Sequence, residues 1–246
     1  ANYAKSETGS AYGGAIYNKG SITSITGNFI GNYAKSTNSQ AHGGAIGNNN
    51  KGTIGSITGD FVGNYAEAEN GIACGGAIDN GGTIETLTGD FIANYAKSET
   101  GSAYGGAIYN EGTIETLTGD FIANYAQGSS TIYGGAIYNS GTYYFSRTIG
   151  DITGDFIGNY AISSSSSYAL GGAIYNSGTI GDITGDFIGN YAKSESGKAY
   201  GGAIYNSSGT IGDITGDFIG NYAQGSSYAY GGAIYTSNDL NFVADN

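Results

Sequence analysis

Few residues in this chain have the chemistry to react. His42 is the only histidine and Cys74 the only cysteine. Each stands just before a Gly-Gly-Ala-Ile string, where other units carry Tyr12, Tyr104, Tyr133, Leu170, Tyr200 and Tyr230. They read as substitutions in a repeated position, in adjacent units, and not as a catalytic or metal-binding pair. The acids are more ordered. Asp60, Asp90, Asp120, Asp155, Asp186 and Asp217 occupy one repeat position, and Glu85, Glu115, Asp151, Asp182 and Asp213 a second. Stacked carboxylates ~5 Å apart repel by about 1 kcal/mol per pair in water, so something must offset them. Each Asp of the first set follows Gly and can cap a turn by accepting backbone N–H bonds. A row of Ca²⁺ ions is the sharper alternative, although the nonapeptide GGxGxDxUx is absent. Paired carboxylates also serve glycoside hydrolysis, but one active site does not need six copies. The expectation is a protein without enzymatic activity and without a resident cofactor.

Tyrosine is the third ordered feature. Of 23 tyrosines, 19 fall in three positions: Asn-Tyr-Ala, Ile-Tyr-Asn, and before Gly-Gly. Tyr109, Tyr138, Tyr175 and Tyr205 form the Ile-Tyr-Asn column. An apolar ring with a polar tip suits interfaces and sugar stacking. The insertion Tyr143-Tyr144-Phe145-Ser146-Arg147 concentrates three aromatics beside the only arginine and is a candidate local contact site. Asn206-Ser207-Ser208 matches the N-glycosylation sequon.

The elements that must position these residues come from an internal repeat. Gly-Gly-Ala-Ile begins at residues 13, 43, 75, 105, 134, 171, 201 and 231, and Phe-x-x-Asn alternates with it from Phe29 to Phe218. Each unit of ~30 residues reads as three short extended segments, Ala-Ile-Tyr-Asn, Thr-Ile-Gly-Asp-Ile-Thr and Asp-Phe-Ile-Gly-Asn-Tyr-Ala, joined by Gly/Asn/Asp turns. The pattern predicts an all-β, parallel β-solenoid of about eight coils with three short strands each, stacked ~4.8 Å apart. Residues 1–246 would form one domain, opening and closing in mid-repeat. Phe91, Phe121, Phe156, Phe187 and Phe218 are expected inside, because an exposed phenyl stripe would aggregate. Asn110, Asn139, Asn176 and Asn206, and separately Asn124, Asn159, Asn190 and Asn221, are expected to hydrogen-bond along the stack as ladders. The polar stretches before Gly-Gly-Ala-Ile are expected to form a loop ridge.

Composition limits the partners. The 20 acids against 8 bases give a formal net charge of −12, which disfavours nucleic acid. No apolar run reaches the ~20 residues of a membrane helix. There is no signal peptide or initiator Met, so a longer natural protein is expected.

The alternation of Gly201-Gly202-Ala203-Ile204 with Phe187-Ile188-Gly189-Asn190, repeated along nearly the whole chain, resembles the repeats of chlamydial polymorphic outer-membrane proteins and related autotransporter passenger domains. The resemblance implies a right-handed β-helix displayed outside a bacterial cell and acting in adhesion to a host or bacterial surface glycan or protein. Homotypic assembly, end to end or lateral, into an extracellular filament is the second expectation.

Overall fold

The computed structural model describes residues 1–140, 147–165 and 167–243, and within them the chain has no helix. Every strand pairs in parallel with its equivalent one repeat away, as in Phe61 on Phe91 and Ile78 on Ile108. The result is a β-solenoid built from five stacked sheets, of eight, seven, eight, eight and ten strands. One coil shows the order: Ile78–Asn80, Thr83–Thr88, Phe91–Ile92, Tyr95–Ser98, Ala103–Tyr104.

Five strands per coil replace the three read from the sequence, for two reasons. The expected third segment breaks between Phe-Ile and Tyr-Ala at a left-handed residue, such as Gly63 at φ +61° or Ala93 at φ +53°. The expected loop ridge is also largely strand. Tyr95–Ser98 runs outward and Ala103–Tyr104 returns, leaving only a short turn between them. A buried serine closes that turn: the Ser98 hydroxyl donates to the Gly71 carbonyl at 2.6 Å and accepts from the Gly101 N–H at 2.8 Å.

The two extra strands create a second core. The main one stacks Phe61, Phe91, Phe121, Phe156 and Phe187, all fully buried, with columns of Ile and Leu such as Ile84, Leu87 and Ile108. Phenyl rings lie 4.7–4.8 Å apart and nearly parallel. The in-register pairing fixes this spacing, because identical residues recur once per strand separation. Phe218 is only partly buried and caps the column. The second core is thin and made of alanine: Ala66, Ala96 and Ala126 face Ala73 and Ala103. Small side chains let the outgoing and returning strands approach closely.

Two columns of buried amides run through the stack. In the Ile-x-Asn sheet, Asn110 Nδ2 donates to Asn139 Oδ1, Asn139 to Asn176, and Asn176 to Asn206, each at 2.9 Å. In the second column Asn124 Nδ2 donates to Asn159 Oδ1 and to the Phe91 carbonyl, at 3.0 and 2.7 Å. Asn159 and Asn190 repeat these bonds through to Asn221. Among the described residues no buried side-chain N or O lacks a partner, which a polar group in this environment requires.

Candidate functional site

Pairing in register turns each exposed residue type into a column, so the surface is striped. The Asn-Tyr-Ala tyrosines stack face to face from Tyr3 to Tyr222, with centroids 4.8–5.1 Å apart. Two residues on, the same outward face carries Lys5, Lys35, Glu67 and Lys97 in line. Lys35 pairs with Glu67 at 3.3 Å and Glu69 at 3.7 Å.

The other two tyrosine columns lie on adjoining sheets and meet at a corner. Tyr109 stacks on Tyr138 at 5.1 Å, Tyr138 on Tyr175 at 5.0 Å, and Tyr175 on Tyr205 at 5.3 Å. Tyr104 and Tyr133 stack on each other and meet the first column edge-on: Tyr104–Tyr138 at 5.1 Å and 63°, Tyr133–Tyr175 at 4.9 Å and 88°. This herringbone satisfies the ring quadrupoles in both directions. It leaves Tyr104, Tyr109, Tyr133, Tyr138, Tyr175 and Tyr205 half-buried.

Burial raises the phenols of Tyr104, Tyr109, Tyr133, Tyr138, Tyr175 and Tyr205 above their ordinary value of about 10. Tyr109 and Tyr138 are raised by burial first, although a bond to Ser140 works against this at Tyr138. Burial, with neighbouring tyrosines Tyr104 and Tyr175, pushes Tyr133 up to about 12. The sign of the linkage follows. The unfolded chain ionises near pH 10, where the folded rod keeps its protons, so stability present below about pH 10 is lost as pH climbs towards Tyr133's value. We expect the native protein to show a delayed tyrosinate absorbance rise, and its melting temperature to fall steeply above pH 10. A native titration superimposable on that of the urea-unfolded chain would contradict this.

Leu170 takes the place of one tyrosine without opening the corner, but at one point the corner is hollowed out. The Ile-Tyr-Asn column reads Tyr17, Gly47, Asp79, Tyr109, and the column beside it Tyr12, His42, Cys74, Tyr104. Spacing alone makes His42 and Cys74 neighbours, and the strands pair them in register. Spacing does not reveal that Asp79 turns towards His42. His42 Nδ1 lies 2.5 Å from Asp79 Oδ2 and Nε2 lies 2.8 Å from Gln40 Oε1. The imidazole stacks on Tyr12 at 4.9 Å. Burial raises the Asp79 carboxyl, while the His42 hydrogen bond opposes the rise. Where Gly47 and Asp79 replace tyrosine, a cavity of about 330 Å³ opens, lined by Tyr12, Tyr17, Gln40, His42, Asn49, Asn50, Asp79, Tyr109 and Glu111 among others. Comparing each column residue by residue would have exposed Gly47 and Asp79 as departures. Cys74 is buried beside this notch, and burial pushes its thiol well above the ordinary value, so it lacks the thiolate character of a nucleophile.

The acids divide differently from their sequence spacing. The Asp column is continuous, and each carboxylate from Asp60 to Asp186 accepts a backbone N–H from the next coil, as in Asp120 N–H to Asp90 Oδ1 at 3.0 Å and Asp155 N–H to Asp120 Oδ1 at 2.9 Å. These bonds offset the repulsion between neighbours. Asn28 accepts the same bond from Asp60, so the position needs an acceptor, not a charge. The second acidic stripe is two separate columns. Buried Ile114 and Leu117 pair with Ile149 and Ile152, which sets Thr116 against Asp151 and leaves Glu115 facing Gly150. Glu85 and Glu115 therefore stand one residue away from the line of Asp151, Asp182 and Asp213. Among the described residues no three His, Cys, Asp or Glu side chains converge as a metal-binding group.

Of the insertion, Tyr143, Tyr144 and Phe145 lie outside the described residues. Arg147 donates to the Ser140 hydroxyl at 3.2 Å and faces Glu111 at 3.8 Å. The sequon asparagine Asn206 is fully buried within its ladder, so its amide is closed to modification in the folded rod. No protein-family model, no curated protein and no solved structure matches this chain.

Proposed function

We propose that this chain is a non-enzymatic, extracellular solenoid of a bacterial surface, serving as a stiff spacer and as an adhesive passenger. The observation that carries the reading is the herringbone corner of half-buried tyrosines, from Tyr104 to Tyr235, presented along one edge of a rigid stack. Rings held in place lose little conformational entropy on binding and offer both an apolar face and a hydroxyl. The reading also draws on the resemblance of the Gly-Gly-Ala-Ile and Phe-x-x-Asn repeats to surface passenger domains. Repetition of like residues in every coil is the opposite of a catalytic site, which gathers unlike groups at one point.

The test is retention on immobilised glycans and on host and bacterial cells. Asp79 occupies the tyrosine column without disturbing the register, so Tyr138→Ser, Tyr175→Ser and Tyr205→Ser together should leave the rod folded. Retention should fall at least tenfold. Unchanged retention in the variant, or none for the wild type across broad panels, would remove the adhesive reading.

One observation favours a second reading, a filament subunit. All five sheets pair parallel and in register along the axis, and the second amide ladder runs unbroken from Asn124 to Asn221, so any exposed coil edge offers a template for another copy. Electron microscopy of the purified natural material separates the two: long unbranched filaments with a ~4.8 Å axial repeat, or isolated short rods.

A further inference from the structure

The notch in the tyrosine corner gathers several departures from this near-perfect repeat. Gly47 and Asp79 replace one tyrosine column, His42 and Cys74 replace the other, and Asn50 is an extra residue in the turn that follows Gly47. Apart from buried Cys74, all of these line one cavity. Scattered drift would not converge on a single hollow. Two of the departures are also chemically matched, since His42 bridges Asp79 and Gln40.

We propose that this cavity is a binding site for one neutral pyranose unit. Its volume, about 330 Å³, falls at the small end of ligand pockets, as a monosaccharide requires. Its walls combine what a sugar ring needs. Tyr12, Tyr17 and Tyr109 supply aromatic faces for the C–H side of the ring. Gln40, Asn49 and Asp79 supply polar groups for its hydroxyls, while His42, with both ring nitrogens engaged, holds Gln40 and Asp79 in place.

Charge narrows the class. The acids already have basic partners: Asp79 is bonded by His42, and Glu111 faces Arg147. No bare carboxylate pair calls for an organic cation. Anionic sugars meet two carboxylates in a chain of formal net charge −12. A neutral polyol avoids both difficulties. The notch deepens the adhesive reading by naming a ligand class, but a soluble sugar can occupy it whether or not the rod adheres to a surface.

The experiment is ligand-observed saturation-transfer NMR on the full chain with methyl glucoside, methyl galactoside, methyl mannoside and N-acetylglucosamine, alongside glucuronate and choline. Gly47→Tyr/Asp79→Tyr restores the residue that most coils carry, so it fills the hollow while keeping the repeat. His42→Tyr does the same from the adjoining column. Transfer to at least one neutral sugar is expected, with at least tenfold weaker binding in both variants and no loss of melting temperature in Gly47→Tyr/Asp79→Tyr. Absence of transfer to every neutral sugar, unchanged transfer in the folded variants, or stronger binding of glucuronate or choline would overturn the proposal. Surface retention of the same variants is measured in parallel. Retention kept while sugar binding is absent would sink the notch alone; the converse would sink the adhesive face alone.

Discussion

Gly106→Ala is expected to cost roughly 4 kcal/mol or more, placing it among the rare severe single substitutions, while Gly158→Ala costs about 1 kcal/mol, the ordinary strain of a left-handed L-residue. The contrast lies in what a methyl group would meet. A Cβ on Gly106 would stand 2.0 Å from the Gly135 carbonyl oxygen and 2.4 Å from the Tyr125 carbonyl carbon and oxygen. All are backbone atoms, pinned by ladder bonds such as Gly106 N–H to Gly134 O and Tyr125 N–H to Asn94 O. Three passes of chain meet there, and none can withdraw without opening a sheet. Gly158 has a positive φ of +62° but nothing within 4 Å of its Cβ position. Its ladder equivalents Ala93 and Ala123 are alanines already, at φ +53° and +54°. Urea denaturation, with hydrogen exchange of the amides in the two flanking coils, measures both variants. Comparable losses for the two would show that backbone crowding is not what fixes the Gly-Gly pair.

The second large effect is expected from a change of a single atom. Asn124→Asp should destabilise the rod by roughly 3 kcal/mol or more, since it orphans buried groups and adds a buried charge. Asp120→Asn, the reverse change four residues away, should be neutral or slightly stabilising. Asn124 uses both ends of its amide. Its Oδ1 accepts from the backbone and side chain of Asn94, and its Nδ2 donates to Asn159 Oδ1 and Phe91 O. A carboxylate there keeps the acceptor but sets oxygen against two oxygens. At Asp120 the carboxylate only accepts, from the Asp155 N–H. An amide oxygen does the same, as Asn28 shows, and removes repulsion along the column. Paired thermal melts at neutral pH decide the matter. Equal and small effects at both positions would mean that the inner ladder is a passive filler.

The repeat made much of this architecture legible. Ile204 and Asn206 sit on the inner side of their strand and Tyr205 on the outer, as alternation requires. Phe187 is buried and Ile188 leans outward, the choice made by the larger apolar surface. What the sequence hid was geometry that depends on small residues. Gly63 and Ala93 look like ordinary strand residues, yet their left-handed backbone divides one expected strand into two. Ala66, Ala73 and Ala103 carry too little hydrophobic signal to announce a core, but they bring two strands close enough to form one. The acids misled for a similar reason. Thr-Ile-Glu-Thr-Leu-Thr and Thr-Ile-Gly-Asp-Ile-Thr put their charges one place apart, and only the buried Ile and Leu reveal the true register. The notch was harder to see because its residues, from Tyr12 to Glu111, meet only across coils, and only a residue-by-residue comparison of the columns picks out Gly47 and Asp79.

The stacking distance has a mechanical consequence. A coil of about thirty residues adds only 4.8 Å to the rod, as the phenylalanine spacing shows, but the same residues drawn out reach about 100 Å at ~3.3–3.6 Å each. Every coil is thus a store of slack some twenty times its own height. It is clasped by interior amide and aromatic stacks and touches only its immediate neighbours. Under tension such a stack is expected to open coil by coil, staying stiff until one layer peels and then lengthening in even steps while the rest keep their shape.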